Sequence, residues 1–370
     1  MKPKKLLGLV MIVKNEAARI ASVLRAYAPF IDVFTILDTG STDGTQDIVR
    51  AFLATPSNVN SILSNLYEEP FVDFSTSRNR VLELHGERTT FVMMSNLDDL
   101  VGGEQLVRFL EEHRDASENA YRIRISPGHY YQTRVLRSGT GWRYRGRTHE
   151  VVVGEGLGQI IPNVRILRDR DHRTALEWRE RWQRDVALLR QDIADDPQNA
   201  RAVFYLAQTF ECLESWPNAL ALYTRRAEMV GYIDETYEAK FRRGRVLAEL
   251  GRCWESDAAY LEAHAFDPRR AEPLYAIAKR WHELDNHALT YLFARRASEL
   301  PLPETDLFVD ADVYAWKAAD LVAVHAYYVR NLDLHAFSVG RACAEWVLAV
   351  RPNDERIRKN RSFYNDRIEE

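Results

Sequence analysis

The sequence predicts an α/β domain followed by an all-α domain of helical repeats. Apolar, β-branched runs alternate with helical spacing up to about Thr174, and beyond that point long helical patterns rich in Ala, Leu, Tyr and Arg take over. Polar, turn-forming residues also gather where predicted strands end and helices begin, which is where open α/β sheets bind ligands. With 370 residues, 46% of them hydrophobic and 28% charged, the chain holds material for two cores.

The elements follow in order. Leu6–Val13 is a continuous apolar run read as a buried strand. It is too short to span a bilayer, and Lys14–Asn15–Glu16 stands where a leader peptide would need small residues. Helical spacing follows over Glu16–Tyr27, then a strand over Val33–Leu37, a turn-rich loop from Thr39 to Gly44 and a helix over Thr45–Leu53. A further strand is expected near Asn58–Leu63, a helix over Ser75–Leu84, and a strand at Thr90–Met94 that runs into the acidic Asn96–Leu97–Asp98–Asp99. Alternating runs at Tyr121–Ile125 and Thr133–Leu136, broken by glycines, read as hairpins of an appended acceptor-side sheet. The domain boundary falls near Asp169–Thr174, with residues 1–172 in the first domain and 173–370 in the second.

In the second domain Gly244, Leu247, Tyr260, Ala263 and Pro268 fall on tetratricopeptide-repeat offsets, whose period is about 34 residues. Shifted copies give Ala278, Trp281, Ala294 and Ala297, an earlier set Leu206, Ala207, Phe210, Ala219 and Tyr223, and a weaker last set Tyr328, Gly340, Ala344 and Pro352. Small residues at these places let paired helices approach closely; a plain helical-bundle core is the other reading.

A net charge of −4 argues against broad electrostatic capture of nucleic acid or membranes, so partners must be recognised by a site. Cys212, Cys253 and Cys343 lie far apart, giving neither a disulfide framework nor a zinc motif, and a cytoplasmic protein is expected.

Four segments carry the chemistry: Met11–Glu16, Asp38–Thr45, Asp73–Phe74–Ser75 with Arg78–Asn79, and Asn96–Asp99. Asp38 and Asp43 sit where a strand end would offer carboxylates to a nucleotide, and Asn15 and Glu16 close the first strand in the same way. The lesser readings are a helix N-cap or first-turn residue for Asp43 and a turn former for Asp38. Arg78 has the guanidinium for a diphosphate, or for a surface ion pair with Asp73 or Glu83. In order and spacing these segments resemble family 2 glycosyltransferases of the GT-A fold, a Rossmann-like nucleotide-diphospho-sugar transferase architecture. The resemblance covers residues up to about 170, and its pairing with tetratricopeptide-like helices is known among family 2 relatives.

That resemblance implies that Val13, Asn15, Glu16, Asp38, Asp43, Arg78 and Asn96 bind a nucleotide sugar. It also implies that Asp98 and His149 hold Mn²⁺ or Mg²⁺. Asn96 stands where the family's Asp-X-Asp motif has its first carboxylate, which weakens the expected hold on metal. Asp98 and Asp99 also read as a solvated strand exit, and His149 as a structural histidine. Glu150 and Asp99 are the two candidates for the base of an inverting transfer. The cluster Trp142, Arg143, Tyr144, Arg145 and Arg147 either stacks a sugar and binds phosphate or forms an exposed strand face. The Gln-X-X-Arg-Trp motif of processive members is absent, which points to transfer of one sugar.

The expected activity is thus metal-dependent transfer from a UDP-sugar, UDP-glucose or a close relative. The acceptor is a saccharide, a lipid-linked saccharide, a peptide or protein, or a modified nucleic-acid base, and the helical domain offers a surface for self-association. The second reading is a catalytically silent sugar-nucleotide domain on a repeat scaffold, motivated by Asn96. Nucleotidyl transfer is disfavoured because no glycine-rich phosphate loop with a following lysine appears after the first strand.

Overall fold

The computed structural model describes residues 5–55, 64–126, 130–167, 174–303 and 308–364. Contacts divide the chain into two compact units, Met1–Pro197 and Gln198–Glu370.

The first unit opens with β1 (Lys5–Val13), α1 (Ile20–Tyr27), β2 (Val33–Asp38), α2 (Thr45–Leu53), β3 (Asn65–Glu68) and α3 (Phe74–His85). It continues with β4 (Thr89–Met94), β5 (Asp99–Val101), α4 (Gly103–Glu112), β6 (Ala120–Ser126) and β7 (Tyr130–Arg137). It ends with β8 (Arg143–Arg145), β9 (Val151–Val153), β10 (Leu157–Leu167) and α5 (Ala175–Asp195). Eight strands form one mixed sheet in the order β3-β2-β1-β4-β7-β6-β10-β5. β3, β2, β1 and β4 run parallel, β7 is antiparallel to both β4 and β6, and β5 pairs antiparallel with β10.

β1 is buried along nearly its whole length because helices cover both faces of a parallel sheet, which is why it reads as an unbroken apolar run. Register places Val13 beside Asp38 and Val10 beside Met94, so β2, β1 and β4 all end along one edge. Beneath β1, His85 is buried between the hydroxyls of Thr35 and Thr89, and Gly8 leaves room for its ring: a Cβ there would fall 2.3 Å from His85 Cε1.

Two sequence expectations are corrected, and a third falls outside the described residues. The hairpin strands are not an appended sheet: β7 pairs with β4, so β6, β7 and β10 extend the main sheet, and among the described residues β8 and β9 form a separate ribbon. The first helix begins at Ile20 rather than Glu16, because Asn15 has a left-handed φ of 56° and the chain turns through Glu16, whose carbonyl accepts from the Arg19 and Ile20 amides. The strand expected at 58–63 lies outside the described residues, and β3 pairs with β2 over Asn65–Glu68.

The expected boundary at 172/173 likewise lies among residues that are not described, whereas the units part after Pro197. α5 groups with the sheet because its buried face, Asp185, Leu189 and Asp192, serves the first unit.

The second unit is all α. It comprises α6 (Ala200–Cys212), α7 (Trp216–Glu228), α8 (Ile233–Glu249), α9 (Cys253–Phe266), α10 (Glu272–Glu283) and α11 (His287–Ser298). A π-helical turn over Val313–Lys317 then leads into α12 (Ala318–His325), followed by α13 (Ala336–Val350) and α14 (Glu355–Ser362). From α6 to α13 each helix packs on the next, giving a stack of helical hairpins of the tetratricopeptide-like kind. The repeat positions form its seams: Ala207, Ala219, Ala263, Ala278, Ala294 and Ala297 are fully buried. A Cβ on Gly244 would lie 2.6 Å from the Tyr260 ring, so only glycine allows that approach of α8 to α9.

Candidate functional site

The edge where β2, β1 and β4 end is closed by interlocking loops. Val13 is buried, and its carbonyl accepts from both the amide and the hydroxyl of Thr39. The Asn15 amide donates to Ser41 Oγ while its side-chain oxygen accepts from the Thr42 amide. The Glu16 amide donates to Thr45 Oγ1. Both Asp43 oxygens are engaged, Oδ1 by the hydroxyl and amide of Thr45 and Oδ2 by the Ala17 amide, and the Thr45 hydroxyl above all lowers this carboxyl below its ordinary range. Asp43 thus ties the two loops together at 2.6–3.1 Å at the start of α2.

Asp38 differs. It is 1% exposed, and its Oδ1 accepts from the Gly40 and Ser41 amides and from Gln46 Nε2. Its Oδ2 is buried with no hydrogen-bond partner among the described residues. A buried acceptor left unsatisfied is costly, so a group of this kind at a strand end marks a place where a ligand donor fits.

Beyond β4, Asn96 is exposed, Leu97 adopts a φ of 58°, and Asp98 turns inward to 9% exposure. This strained turn is clamped from α1: Arg19 donates to the Leu97 carbonyl and the Tyr27 hydroxyl to the Asp98 carbonyl. Burial pushes the Tyr27 phenol up to about 12, so it stays a donor at any working pH. Asp98 Oδ2 lies 3.5 Å from Nη2 of the buried Arg134 on β7. Asp99 is exposed at the start of the edge strand β5.

The remaining candidates come from α3 and the loop after β8. Asp73 caps α3 through the Thr76 amide, and Asn79 clasps the Tyr144 backbone from both sides. The partner of Arg78 is neither Asp73 nor Glu83 but Glu150, with Nε 2.6 Å from Oε1, and its guanidinium lies over the buried Tyr144 ring. Arg78, Arg134 and Glu150 all act electrostatically on the Tyr144 hydroxyl, whose pKa rises chiefly through burial. Arg78 thus links the Tyr144 ring on β8 to Glu150 in the loop that follows it.

That loop is anchored to α5. Thr148 Oγ1 donates to the buried Asp185, and Arg147 reaches Asp192 through both its amide and its guanidinium, with Asp195 as a third contact. Directly after these anchors His149 takes a φ of 49°. Arg147 is thereby withdrawn from the aromatic-basic cluster, Trp142 donates to the Glu155 carbonyl, and Arg143 and Arg145 remain on the exposed face of β8. Sequence reasoning missed Arg134, Asp185 and Asp192; an acidic face on an otherwise solvated helix was the only signal for the last two.

Among the described residues no group of three or more His, Cys, Asp or Glu stands close enough to hold a metal ion. Nor is any helix among the described residues long and apolar enough to cross a membrane.

No family model matches the chain. It is 21% identical over 221 residues to the SPbeta prophage-derived glycosyltransferase SunS of Bacillus subtilis (strain 168), covering 57% of this chain and 50% of that protein, and equally to glycosyltransferase SunS of Bacillus phage SPbeta. The chain spans about half the length of these curated relatives. Among solved structures it is similar to the C-terminal part of a TPR repeat-containing protein from Cytophaga hutchinsonii (TM-score 0.38, 13% identity, 51% of this chain and 68% of that one). It is also similar to MamA (TM-score 0.37, 11% identity, 50% of this chain and 99% of that one).

Proposed function

We propose that the protein is a glycosyltransferase whose first unit, a GT-A domain of family 2 type, moves a single sugar with inversion from a UDP-sugar, UDP-glucose or a close relative, to an acceptor. The observation that carries this reading is Asp38: a carboxylate with one buried, unpartnered oxygen, at the edge where three parallel strands end, with a second buried carboxylate, Asp98, in the turn that follows β4. A base or ribose donor satisfies the first, and the charge of a diphosphate calls for the second. The similarity to SunS supports the same class of chemistry.

In this reading Val13, Asn15, Glu16 and Asp38 form the nucleotide side of the site, with Asp43 bracing its loops. Asn96, Asp98, His149 and Arg78 face the diphosphate. Asp98 and His149 are the protein groups that would hold Mn²⁺ or Mg²⁺, which when bound neutralises charge on the departing diphosphate. The acceptor atom attacks the anomeric carbon as the bond to the UDP oxygen breaks, and its proton passes to Glu150, a largely buried carboxylate steadied by Arg78. Asp99, exposed on the edge strand, is the alternative base. The helical unit would recruit the acceptor, a peptide or protein segment above the other classes, since stacked helical hairpins commonly present such segments a concave face.

A thermal-shift screen of sugar nucleotides with Mn²⁺ tests the proposal: UDP-glucose or a relative raises the melting temperature of the parent, and Asp98→Ala removes most of that rise. Equal stabilisation of the two proteins takes Asp98 out of the site. Binding without turnover of any donor would leave the silent-scaffold reading that Asn96 suggests.

A further inference from the structure

The two edges of the β8–β9 ribbon differ. Arg143 stands opposite Val153, Tyr144 opposite Val152 and Arg145 opposite Val151. The Tyr144 amide donates to Asn79 Oδ1 at 2.7 Å and its carbonyl accepts from Asn79 Nδ2 at 2.9 Å, so at this residue the backbone of β8 points away from β9. Bonded and non-bonded pairs alternate along an antiparallel ladder. Arg143 and Arg145 therefore bond to Val153 and Val151, and Val152 turns its own amide and carbonyl outward, where they meet no partner among the described residues. Asn79 thus closes the outer edge of β8, while that of β9 stays unpaired. The segment Val151–Val153 also lacks the charge or proline that commonly blunts a sheet edge.

Two further observations say what fits this edge. Tyr144 and Val152 pack inward, which leaves Arg143, Arg145, Val151 and Val153 on the opposite face of the ribbon. Arg143 and Arg145 are exposed, and among the described residues neither forms an ion pair. A strand added to β9 would lie about 10 Å from β8, a gap that an arginine and a facing carboxylate side chain bridge across the small valines. The edge also starts at the residue after Glu150.

We propose that the free edge of β9 captures the acceptor peptide as a third strand, with acidic side chains at alternate positions facing Arg143 and Arg145, and so leads the residue to be glycosylated past Glu150. The inference rests on the glycosyl-transfer reading above and gives its acceptor a chemical class, an extended acidic peptide. Main-chain hydrogen bonds to Val152 supply affinity that does not depend on sequence, and the two guanidiniums supply the preference.

The test follows the fluorescence anisotropy of labelled peptides of alternating serine and glutamate, or serine and lysine, on the full-length protein. The acidic peptide is expected to bind about tenfold tighter than the basic one, and Arg143→Glu with Arg145→Glu to reverse that order. Both side chains are exposed, so the fold should survive the exchange, and the melting temperature checks it. The main-chain part is read on the ligand. N-methylation of one alternate set of amides in the acidic peptide is expected to weaken binding about tenfold and that of the other set to leave it unchanged, because only one edge of an added strand faces β9. Equal effects of the two methylations, or no preference between the acidic and basic peptides, overturn the proposal. If UDP-glucose with Mn²⁺ raises the melting temperature of the parent in that case, the glycosyltransferase reading stands and only the role of the β9 edge falls. If no UDP-sugar stabilises a parent that binds the acidic peptide as described, strand addition stands and the functional reading is lost.

Discussion

Arg78 Nε and Glu150 Oε1 lie 2.6 Å apart with their side chains only 9% and 14% exposed, so α3 and the loop after β8 are joined by a nearly buried ion pair. Truncating one partner leaves an uncompensated charge. Glu150→Ala is expected to lower the unfolding free energy by about 3 kcal/mol, while Arg78→Met with Glu150→Leu recovers most of that loss. Urea denaturation of the parent, both single variants and the pair measures it, and simple additivity would show that the two side chains do not depend on each other.

Asp38→Asn keeps an oxygen for the three loop donors at Oδ1 and replaces the unpartnered Oδ2 with an amide donor. The melting temperature should stay within a few degrees of the parent while UDP affinity falls about tenfold or more, since a donor would then face a donor. Isothermal titration with UDP decides; unchanged affinity places the nucleotide elsewhere.

The anchors on α5 predict a kinetic signature. Thr148→Val and Asp192→Asn release the loop that carries His149 and Glu150 without touching Asp38 or Asp98. A drop of about tenfold to a hundredfold in kcat, with donor KM within about twofold, is the expected pattern. A rise in donor KM with kcat unchanged would mean that the loop serves binding and not the transfer step.

His325 sets a pH dependence in the helical unit. It is buried on α12 between His282 Nδ1 at 2.7 Å and His287 Nδ1 at 2.9 Å, and Tyr328 stacks on His287. Burial first, then the two neighbouring imidazoles, lower its pKa to about 4, with Asp285 acting weakly the other way. Because the folded value lies below the unfolded one, its contribution to stability is intact above about pH 6.5 and is lost as the pH falls towards 4. Melting of the parent between pH 7.5 and 4.5 should decline by more than that of His325→Leu; parallel curves would show that the cluster is not proton-linked.

Gly244→Ala tests the helical seam. Although alanine favours a helix, its Cβ would fall 2.6 Å from the ring of Tyr260, which is buried. A loss of about 1–3 kcal/mol in denaturant unfolding is expected, and Gly244→Ala with Tyr260→Leu should restore part of it. A neutral single substitution would mean that α8 and α9 separate easily.

What the sequence made legible was local. β1, β2, α2 and β4 lie within a residue or two of their expected bounds, because apolar runs and turn-forming residues are written into the segments themselves. Pairings distant in sequence were not legible: that β7 joins β4, that Arg78 meets Glu150 and not its helical neighbours, and that α5 belongs with the sheet. Arg134 was hidden for a further reason. In the run Thr133–Leu136 simple alternation treats it as one more strand residue, and only the slipped register with β6 turns it inward.

The attachment of α5 to Thr148 and Arg147 bears on how such chains are recombined. Cutting at the change from strand to helix composition would sever the strut that steadies His149 and Glu150, leaving a folded sheet with a slack rim. The usable joint for grafting this domain onto a different helical array is instead the short Asp196–Pro197 link, with α5 carried along as part of the graft.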